Sequence, residues 1–160
     1  MTMVRMTVKG LMLDPISNSP IVVLRDDDDS TLLPIWVGVF EANAIALKLE
    51  NYETPRPMTH DLLKGILGAM NATVIRVVVN ELRDSTFFAR IVLSVGGNES
   101  EVDARPSDAI ALALRVDAPI FVDQSVLDQA QTISPDDTQD EKVRKWFEQL
   151  NAEELGKYKM

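Results

Sequence analysis

Two segments of the chain place an arginine and a proline shortly before a carboxylate. In "PRPMTHDLL" the charged residues are Arg56 and Asp61, and in "VDARPSDAIALALR" they are Arg105 and Asp108. Carboxylates are ligands for Mg2+ and Mn2+, and the planar guanidinium group of arginine binds phosphate oxygens in pairs. If the two segments meet in space, their side chains are suited to phosphodiester hydrolysis.

All the candidate carboxylates lie at the starts of predicted helices. Glu41, Asp61 and Asp108 each fall in a first turn, where the helix dipole favours negative charge, so capping alone explains each one separately. Capping does not predict the neighbouring arginines. We therefore expect these three carboxylates to be candidate ligands for Mg2+ or Mn2+, with Arg56 and Arg105 as phosphate-binding groups. The alternative is that the pairs are buried ion pairs that stabilise the fold.

The single histidine, His60, lies between Thr59 and Asp61 in the first of these segments. A histidine near neutral pH can act as a general base or as a metal ligand. A histidine in the first turn of a helix is also common as a surface or capping residue. His60 is accordingly a candidate base, and its role depends on what it contacts.

The apolar pattern predicts the elements that must position these side chains. Alternation predicts strands at residues 3–8, 20–25, 32–37, 73–82, 86–95, 99–105 and 118–123. Helical spacing predicts helices over 40–51 and 59–71, the second with a stripe of Leu62, Ile66 and Met70 that should be buried. Residues 109–114 are apolar throughout and predict a buried third helix, and a short helix capped by Ser125 follows.

These elements predict an α+β fold with a mostly antiparallel or mixed β-sheet packed against three core helices. The composition changes near residue 134, so we expect one domain over residues 1–133 and a charged tail over 134–160. In the tail, helical spacing of the apolar residues predicts an amphipathic helix. Those residues are Val143, Trp146, Phe147 and Leu150.

The charge balance argues against passive binding to nucleic acid, because 16 Lys and Arg residues face 25 Asp and Glu residues, with a net charge of -9. A phosphate-rich partner would need a locally basic surface or a bridging metal ion. Four of the acids are consecutive, at positions 26–29. We interpret them as the solvated tip of a hairpin, with a metal-binding loop as the alternative. The absence of cysteine excludes disulfides, and no apolar run is long enough for a membrane span. The amino-terminal residues alternate as in a strand and show no continuous apolar segment of the kind a secretory signal needs, so we expect a cytoplasmic location.

Four segments together resemble the bifunctional nuclease family, formerly a domain of unknown function that is widespread in bacteria and present in plants. They are "LPIWVGVFEANAIALKLE", "PRPMTHDLL", "LRDSTFFARIVL" and "VDARPSDAIALALRVDAPIFV". The resemblance runs from about residue 4 to 130 and implies degradation of RNA and DNA. The polar positions of its motifs here are Glu41, Arg56, His60, Asp61, Asp103, Arg105, Ser107 and Asp108.

Two functional hypotheses follow. The first is a nuclease that depends on a divalent metal and hydrolyses RNA, DNA or both. The second is a non-catalytic oligomeric binding or regulatory protein whose arginine–carboxylate motifs are structural. In both cases we expect a homodimer or a larger homo-oligomer, because the third helix and the Trp146 stripe are strongly apolar.

Overall fold

The computed structural model describes residues 2–28, 30–130 and 132, and within this part of the chain seven strands and four helices follow one another. The strands are β1 (Met3–Leu13), β2 (Pro20–Asp26), β3 (Leu32–Trp36), β4 (Ala72–Arg83), β5 (Thr86–Val95), β6 (Asn98–Ala104) and β7 (Ile120–Asp123). The helices are α1 (Val39–Leu49), α2 (Thr59–Ala69), α3 (Pro106–Val116) and α4 (Gln124–Gln129). The tail predicted over 134–160, with its apolar stripe, lies outside the described residues.

All seven strands form one mixed sheet in the order β3-β2-β1-β7-β4-β5-β6. Neighbouring strands are antiparallel except for β4 and β7, which are parallel. The tight link between β4 and β5 has positive φ at Asp84 and Ser85, which matches the twist of a two-residue hairpin. The predicted α+β class with a mixed sheet is confirmed.

Helix α3 lies at the centre of the helical layer and packs against α1, α2 and the strands β4 and β5. Proline at its first position fits the fixed φ of a helix start, and residues from Ala109 to Ala113 are all buried. The small alanine side chains of α3 let neighbouring helices approach it closely. The prediction of a buried third helix is confirmed, and the beginnings of α1, α2 and α3 are held near one another.

The predicted burial of the α2 stripe is wrong for this chain. Leu62, Ile66 and Met70 are 56%, 47% and 68% exposed, whereas His60 is buried and Leu67 packs against the core. Helix α2 therefore contacts α3 through one side and presents its apolar stripe to solvent. Helical spacing correctly identified an apolar face, but it could not say whether the partner of that face belongs to the same chain.

Smaller differences concern element ends. Strand β1 continues to Leu13, beyond the predicted end at residue 8, because its residues from Met6 to Leu13 pair with β2. The cap of α4 is Asp123, whose carboxylate accepts a hydrogen bond from the backbone N–H of Ser125 at 2.9 Å, so the prediction of Ser125 as the cap is wrong. None of the described helices is both long enough and apolar enough to cross a membrane.

Candidate active site

Three helix starts bring four polar side chains into one group. Glu41 lies in the first turn of α1, His60 in that of α2 and Asp108 in that of α3, while Arg105 is the residue immediately before α3. They meet because α1 and α2 both pack against α3. Gly38 precedes α1, and a Cβ atom there would collide with the Glu41 carboxylate, so this glycine leaves room for the side chain to fold over the helix start.

Asp108 is the centre of the group. Its Oδ1 lies 2.9 Å from Nε2 of His60, and its Oδ2 accepts hydrogen bonds from Nε and Nη2 of Arg105 at 2.9 and 2.8 Å. Arg105 Nη2 also lies 2.8 Å from Oε1 of Glu41. One carboxylate is thus bonded to an imidazole on one side and to a guanidinium on the other, and the guanidinium joins it to a second carboxylate.

The group runs from the protein interior to its surface. The His60 side chain is 8% exposed and that of Arg105 is 53% exposed, with the two carboxylates between these limits. The four residues line a cleft of about 300 Å³, together with Phe40 and other residues of α1 and α2. The hydrogen bond to Asp108 is the largest cause of the raised pKa of Arg105, and the charge of Asp108 and the bond to Glu41 raise this pKa further against the effect of burial, so Arg105 is positively charged in the site.

Asp61 lies in the same turn as His60 but belongs to a different network. Its Oδ1 accepts a hydrogen bond from Nε of Arg115 at 2.8 Å, and its Oδ2 accepts one from the backbone N–H of Met58 at 3.0 Å. The bond from Met58 is the largest cause of the lowered pKa of Asp61, and the bond and charge of Arg115 lower this pKa further. Asp61 is therefore ionised and already paired.

The sequence motifs did not identify Arg115 as a partner. This buried side chain also donates to the carbonyls of Ala111 and Ala44, at 2.8 and 3.0 Å. It therefore connects α3 with both α1 and α2 and fixes the relative positions of the three helix starts. A single charge at the end of an otherwise apolar helix was the available signal, because such a charge needs a partner if its helix is buried.

The remaining candidates lie elsewhere. Arg56 is exposed and lines a second cleft, of about 340 Å³, on the other side of the start of α2. Asp103 is exposed on β6 and lines neither cleft, while Ser107 is buried in the first turn of α3. The structure thus brings His60, Asp108, Arg105 and Glu41 together, and it separates Asp61 and Arg56 from them.

The donor atoms present do not form a ready site for Mg2+ or Mn2+. Such ions need several free oxygen ligands, but Asp61 is bonded to Arg115, and the carboxylates of Glu41 and Asp108 both bind Arg105. Across residues 2–28, 30–130 and 132, no three His, Asp or Glu side chains are grouped closely enough to hold a metal ion. Arg105 occupies one oxygen of each of the Glu41 and Asp108 carboxylates, and His60 contacts the other oxygen of Asp108.

Comparison with known proteins gives one consistent result. The sequence model of the bifunctional nuclease domain matches residues 22–135. An uncharacterized protein of Mycobacterium tuberculosis is 39% identical over 134 residues, which cover 84% of this chain and 80% of that protein. Bifunctional nuclease 1 of rice (Oryza sativa subsp. japonica) is 31% identical over 71% of this chain, and bifunctional nuclease 1 of Arabidopsis thaliana is 32% identical over 72%. These matches span only 35% and 36% of the two plant proteins.

Proposed function

The chain belongs to the bifunctional nuclease domain family, and from this membership and the geometry of the cleft we propose that it hydrolyses phosphodiester bonds of RNA, DNA or both. The observation that carries the proposal is the contact between His60 and Asp108, with Arg105 on the same carboxylate. A base, a group that orients it and a cation for the phosphate stand together at an open cleft. Acyl transfer and phosphoryl transfer both use a base, an orienting group and a group that stabilises negative charge. Membership of a nuclease family favours phosphoryl transfer.

Asp108 has the position of an orienting group for His60. The proposed reaction uses the tautomer in which Nε2 of His60 carries the proton and donates it to the Asp108 carboxylate, so that Nδ1 holds the free lone pair. In the proposed reaction Nδ1 takes the proton of a water molecule, or of a ribose 2′-hydroxyl, as that oxygen attacks phosphorus. The P–O bond to the leaving oxygen breaks, and the proton gained by His60 passes to that oxygen.

Arg105 is the proposed phosphate-binding group of the same step. A guanidinium has five N–H donors, so Arg105 can keep its bonds to Asp108 and Glu41 and still donate to a phosphate oxygen from its exposed side. Its permanent charge would offset the negative charge that builds up on the phosphate during attack. Glu41 would hold the guanidinium in position.

The test is cleavage of labelled RNA and labelled DNA by purified protein. We expect the wild type to cleave at least one of them and Asp108→Asn to cleave at least about 100-fold more slowly, as for loss of general acid–base catalysis. Asp103→Asn is the matched control, since Asp103 is an exposed aspartate that lines neither cleft, and it should cleave like the wild type. A folded Asp108→Asn variant with the wild-type rate would contradict the proposal.

Dependence on Mg2+ or Mn2+ remains a prediction, which the same assay tests with each ion and with a chelator. Because Arg105 occupies the carboxylates, no step of the proposed reaction is assigned to an ion. Cleavage that a chelator abolishes would confirm the metal dependence, and cleavage that persists with a chelator would contradict it.

The second candidate function is a non-catalytic binding or regulatory protein whose arginine–carboxylate pairs are structural. The Asp61–Arg115 pair favours this for the motif that contains Asp61. Arg115 is buried and bonded to two carbonyls as well as to Asp61, which is the environment of a structural ion pair. Protein that cleaves neither substrate under any of these conditions, yet stays folded and oligomeric, would support this alternative.

We also propose that the protein is a homodimer whose interface includes the exposed α2 stripe, defined as Leu62, Ile66 and Met70. A two-fold interface brings the same surface of both subunits together, and an apolar stripe is complementary to a copy of itself.

A further inference from the structure

A second cleft, which we call the basic cleft, lies beside the candidate active site. It has a volume of about 340 Å³ and is lined by Lys48, Tyr52, Arg56 and Lys64, together with Glu53, Asp61, Arg115 and the prolines of the loop between α1 and α2. Asp61 and Arg115 neutralise each other. Three cations against the single carboxylate of Glu53 leave this wall positive, although the whole chain carries a net charge of -9.

The three cations are available to a ligand. In the described part of the chain, Lys48, Arg56 and Lys64 take part in no ion pair, and the side chains of Arg56 and Lys64 are exposed. Unpaired cations around one concave surface attract the phosphate groups of a polyanion. The acidic composition therefore does not prevent binding of nucleic acid at this particular surface.

Tyr52 adds a flat apolar ring to the basic cleft. The residue is 62% exposed, and its backbone is fixed because its N–H donates to the carbonyl of Leu47 at 2.9 Å, directly after Asn51 with positive φ. Two prolines and a hydrogen bond of 2.6 Å from the Thr54 hydroxyl to the Arg56 carbonyl restrain the loop that follows. The backbone that carries the Tyr52 ring and Arg56 is therefore restrained, and the ring itself is open to solvent.

The two clefts are adjacent and lie on either side of the start of α2. Leu47 lines both of them, and the consecutive residues His60 and Asp61 contribute to one cleft each. A strand whose phosphate lies at Arg105 can therefore continue past the start of α2 into the basic cleft. Cations near a stacking ring are the combination that recognises single-stranded nucleic acid.

We propose that the basic cleft binds a single-stranded segment of the nucleic acid substrate, with one base stacked on Tyr52 and phosphates held by Lys48, Arg56 and Lys64. This inference rests on the proposed function for its substrate class, but it concerns binding and not cleavage. It assigns to Arg56 the role of a phosphate ligand away from the reacting bond. An unpaired base is required, because the bases inside a duplex are stacked on each other and cannot reach the ring.

The test measures binding of fluorescent RNA and DNA oligonucleotides of one sequence, single-stranded and duplex, by fluorescence anisotropy with a chelator present, in the Asp108→Asn background so that the oligonucleotides are not cleaved. We expect the single strands to bind more tightly than the duplexes. Tyr52→Ala should weaken binding about tenfold or more, as for loss of base–aromatic stacking, and Tyr52→Phe should restore it. The RNA and DNA arms show which sugar the cleft accepts.

The cations are tested through the salt dependence of the same binding. Lys64→Ala and Arg56→Ala should each weaken binding and lower the slope of log K against log salt by about 0.7, the value for one phosphate contact on a single strand. Lys9→Ala is the matched control, because Lys9 is an exposed lysine of β1 that lines neither cleft. It should leave the slope unchanged.

The outcomes separate this inference from the proposed activity. Binding that depends on Tyr52, Arg56 and Lys64, together with a wild type that cleaves nothing, would support the basic cleft and contradict the nuclease proposal. Cleavage by the wild type, together with unchanged binding in the Tyr52, Arg56 and Lys64 variants, would support the nuclease proposal and contradict the basic cleft. Equal binding of duplex and single strand, or no binding at low salt, would overturn the inference.

Discussion

At the scale of single residues, two neighbours in the sequence have different environments. His60 faces Asp108 at the open cleft, whereas Asp61 faces the buried guanidinium of Arg115. Successive residues of a helix point about 100° apart, so one helix turn can serve both a cleft and the interface with another helix. The Arg-Pro-carboxylate motifs are therefore alike in sequence and unlike in role: Arg105 binds the carboxylate of its own motif, and Asp61 binds an arginine far along the chain.

The His60–Asp108 pair can be tested as a unit of catalysis. We expect His60→Gln and Asp108→Asn each to lower kcat by about 100-fold to 10,000-fold, and the double variant to be little slower than either single variant. The reason is that removal of the base leaves the orienting carboxylate with nothing to orient. The measurement is kcat of the wild type, the two single variants and the double variant. A loss in the double variant equal to the product of the two single losses would show that the two residues act separately.

The Asp61–Arg115 pair should matter for stability. Asp61→Asn leaves a buried guanidinium without its counter-charge, and we expect the free energy of unfolding to fall by about 2 kcal/mol at pH 7, as for a hydrogen bond to a charged group. Urea unfolding measures it. Asp103→Asn, an exposed change of the same chemistry, should shift stability by less than about 0.5 kcal/mol.

The pH dependence of that difference follows from the lowered pKa of folded Asp61. A carboxylate with a folded pKa below its unfolded value of about 3.9 stabilises the protein above that value, and this stability is lost as the pH falls through the folded pKa. The difference in free energy of unfolding between wild type and Asp61→Asn should therefore have its full value at pH 7 and become smaller below about pH 4. A gap that is constant from neutral to acid pH would show that the charge of Asp61 is not what stabilises the fold.

At the scale of elements, Asp26, the first of the four consecutive acids at positions 26–29, has a structural role. Asp26 is 9% exposed, and its carboxylate accepts hydrogen bonds from the backbone N–H and hydroxyl of Ser30, both at 2.7 Å, and from the N–H of Thr31 at 3.1 Å. Burial raises the pKa of Asp26, but these hydrogen bonds outweigh that effect and lower the pKa. Asp27 and Asp28 are exposed, so the solvated hairpin tip was the correct interpretation for these two residues, and Asp29 lies outside the described residues.

The run provides its own control for a stability prediction. Asp26→Ala should lower the free energy of unfolding by about 1–3 kcal/mol, since it leaves the N–H groups of the turn without their acceptor. Asp27→Ala and Asp28→Ala remove the same charge from the same run and should change stability by less than about 0.5 kcal/mol. Thermal or urea unfolding of the three variants compares them directly, and equal effects would mean that net charge, not the turn, determines stability here.

Element types were predictable from sequence, and their arrangement was predictable only in part. Alternation and helical spacing depend on local residues, so the strands and helices fall close to their predicted positions. The insertion of β7 between β1 and β4 depends on contacts between distant segments, which periodicity does not encode. For the same reason the motifs indicated the four residues at the cleft but not the grouping of Asp61 with Arg115.

At the scale of the whole molecule, the acidic composition and the proposed substrate are compatible because charge is unevenly distributed. The excess acids include the exposed Asp27 and Asp28 in the hairpin between β2 and β3, while Lys48, Arg56 and Lys64 surround one cleft. Electrostatic attraction acts over roughly 8 Å at physiological ionic strength, so the local charge of a cleft matters more to a bound strand than the total charge. The negative total charge, in contrast, repels the nucleic acid at a distance and so slows its association with the protein. Because salt screens these charges, binding depends strongly on the salt concentration.

The exposed α2 stripe carries the last prediction, which concerns assembly. Stable interfaces bury roughly 1,200–2,000 Å² in total with an apolar centre, and an aspartate placed at that centre loses hydration without gaining a partner. We therefore expect the wild type to be a dimer by sedimentation velocity at micromolar concentration and Ile66→Asp, at the middle of the stripe, to be a folded monomer. Ile16→Asp is the matched control, because Ile16 is 53% exposed in the turn between β1 and β2, and it should leave the dimer intact. A monomeric wild type, or an Ile66→Asp variant that still dimerises, would mean that the stripe has another partner or none, and the burial that its helical spacing predicted would not come from a second copy of this chain.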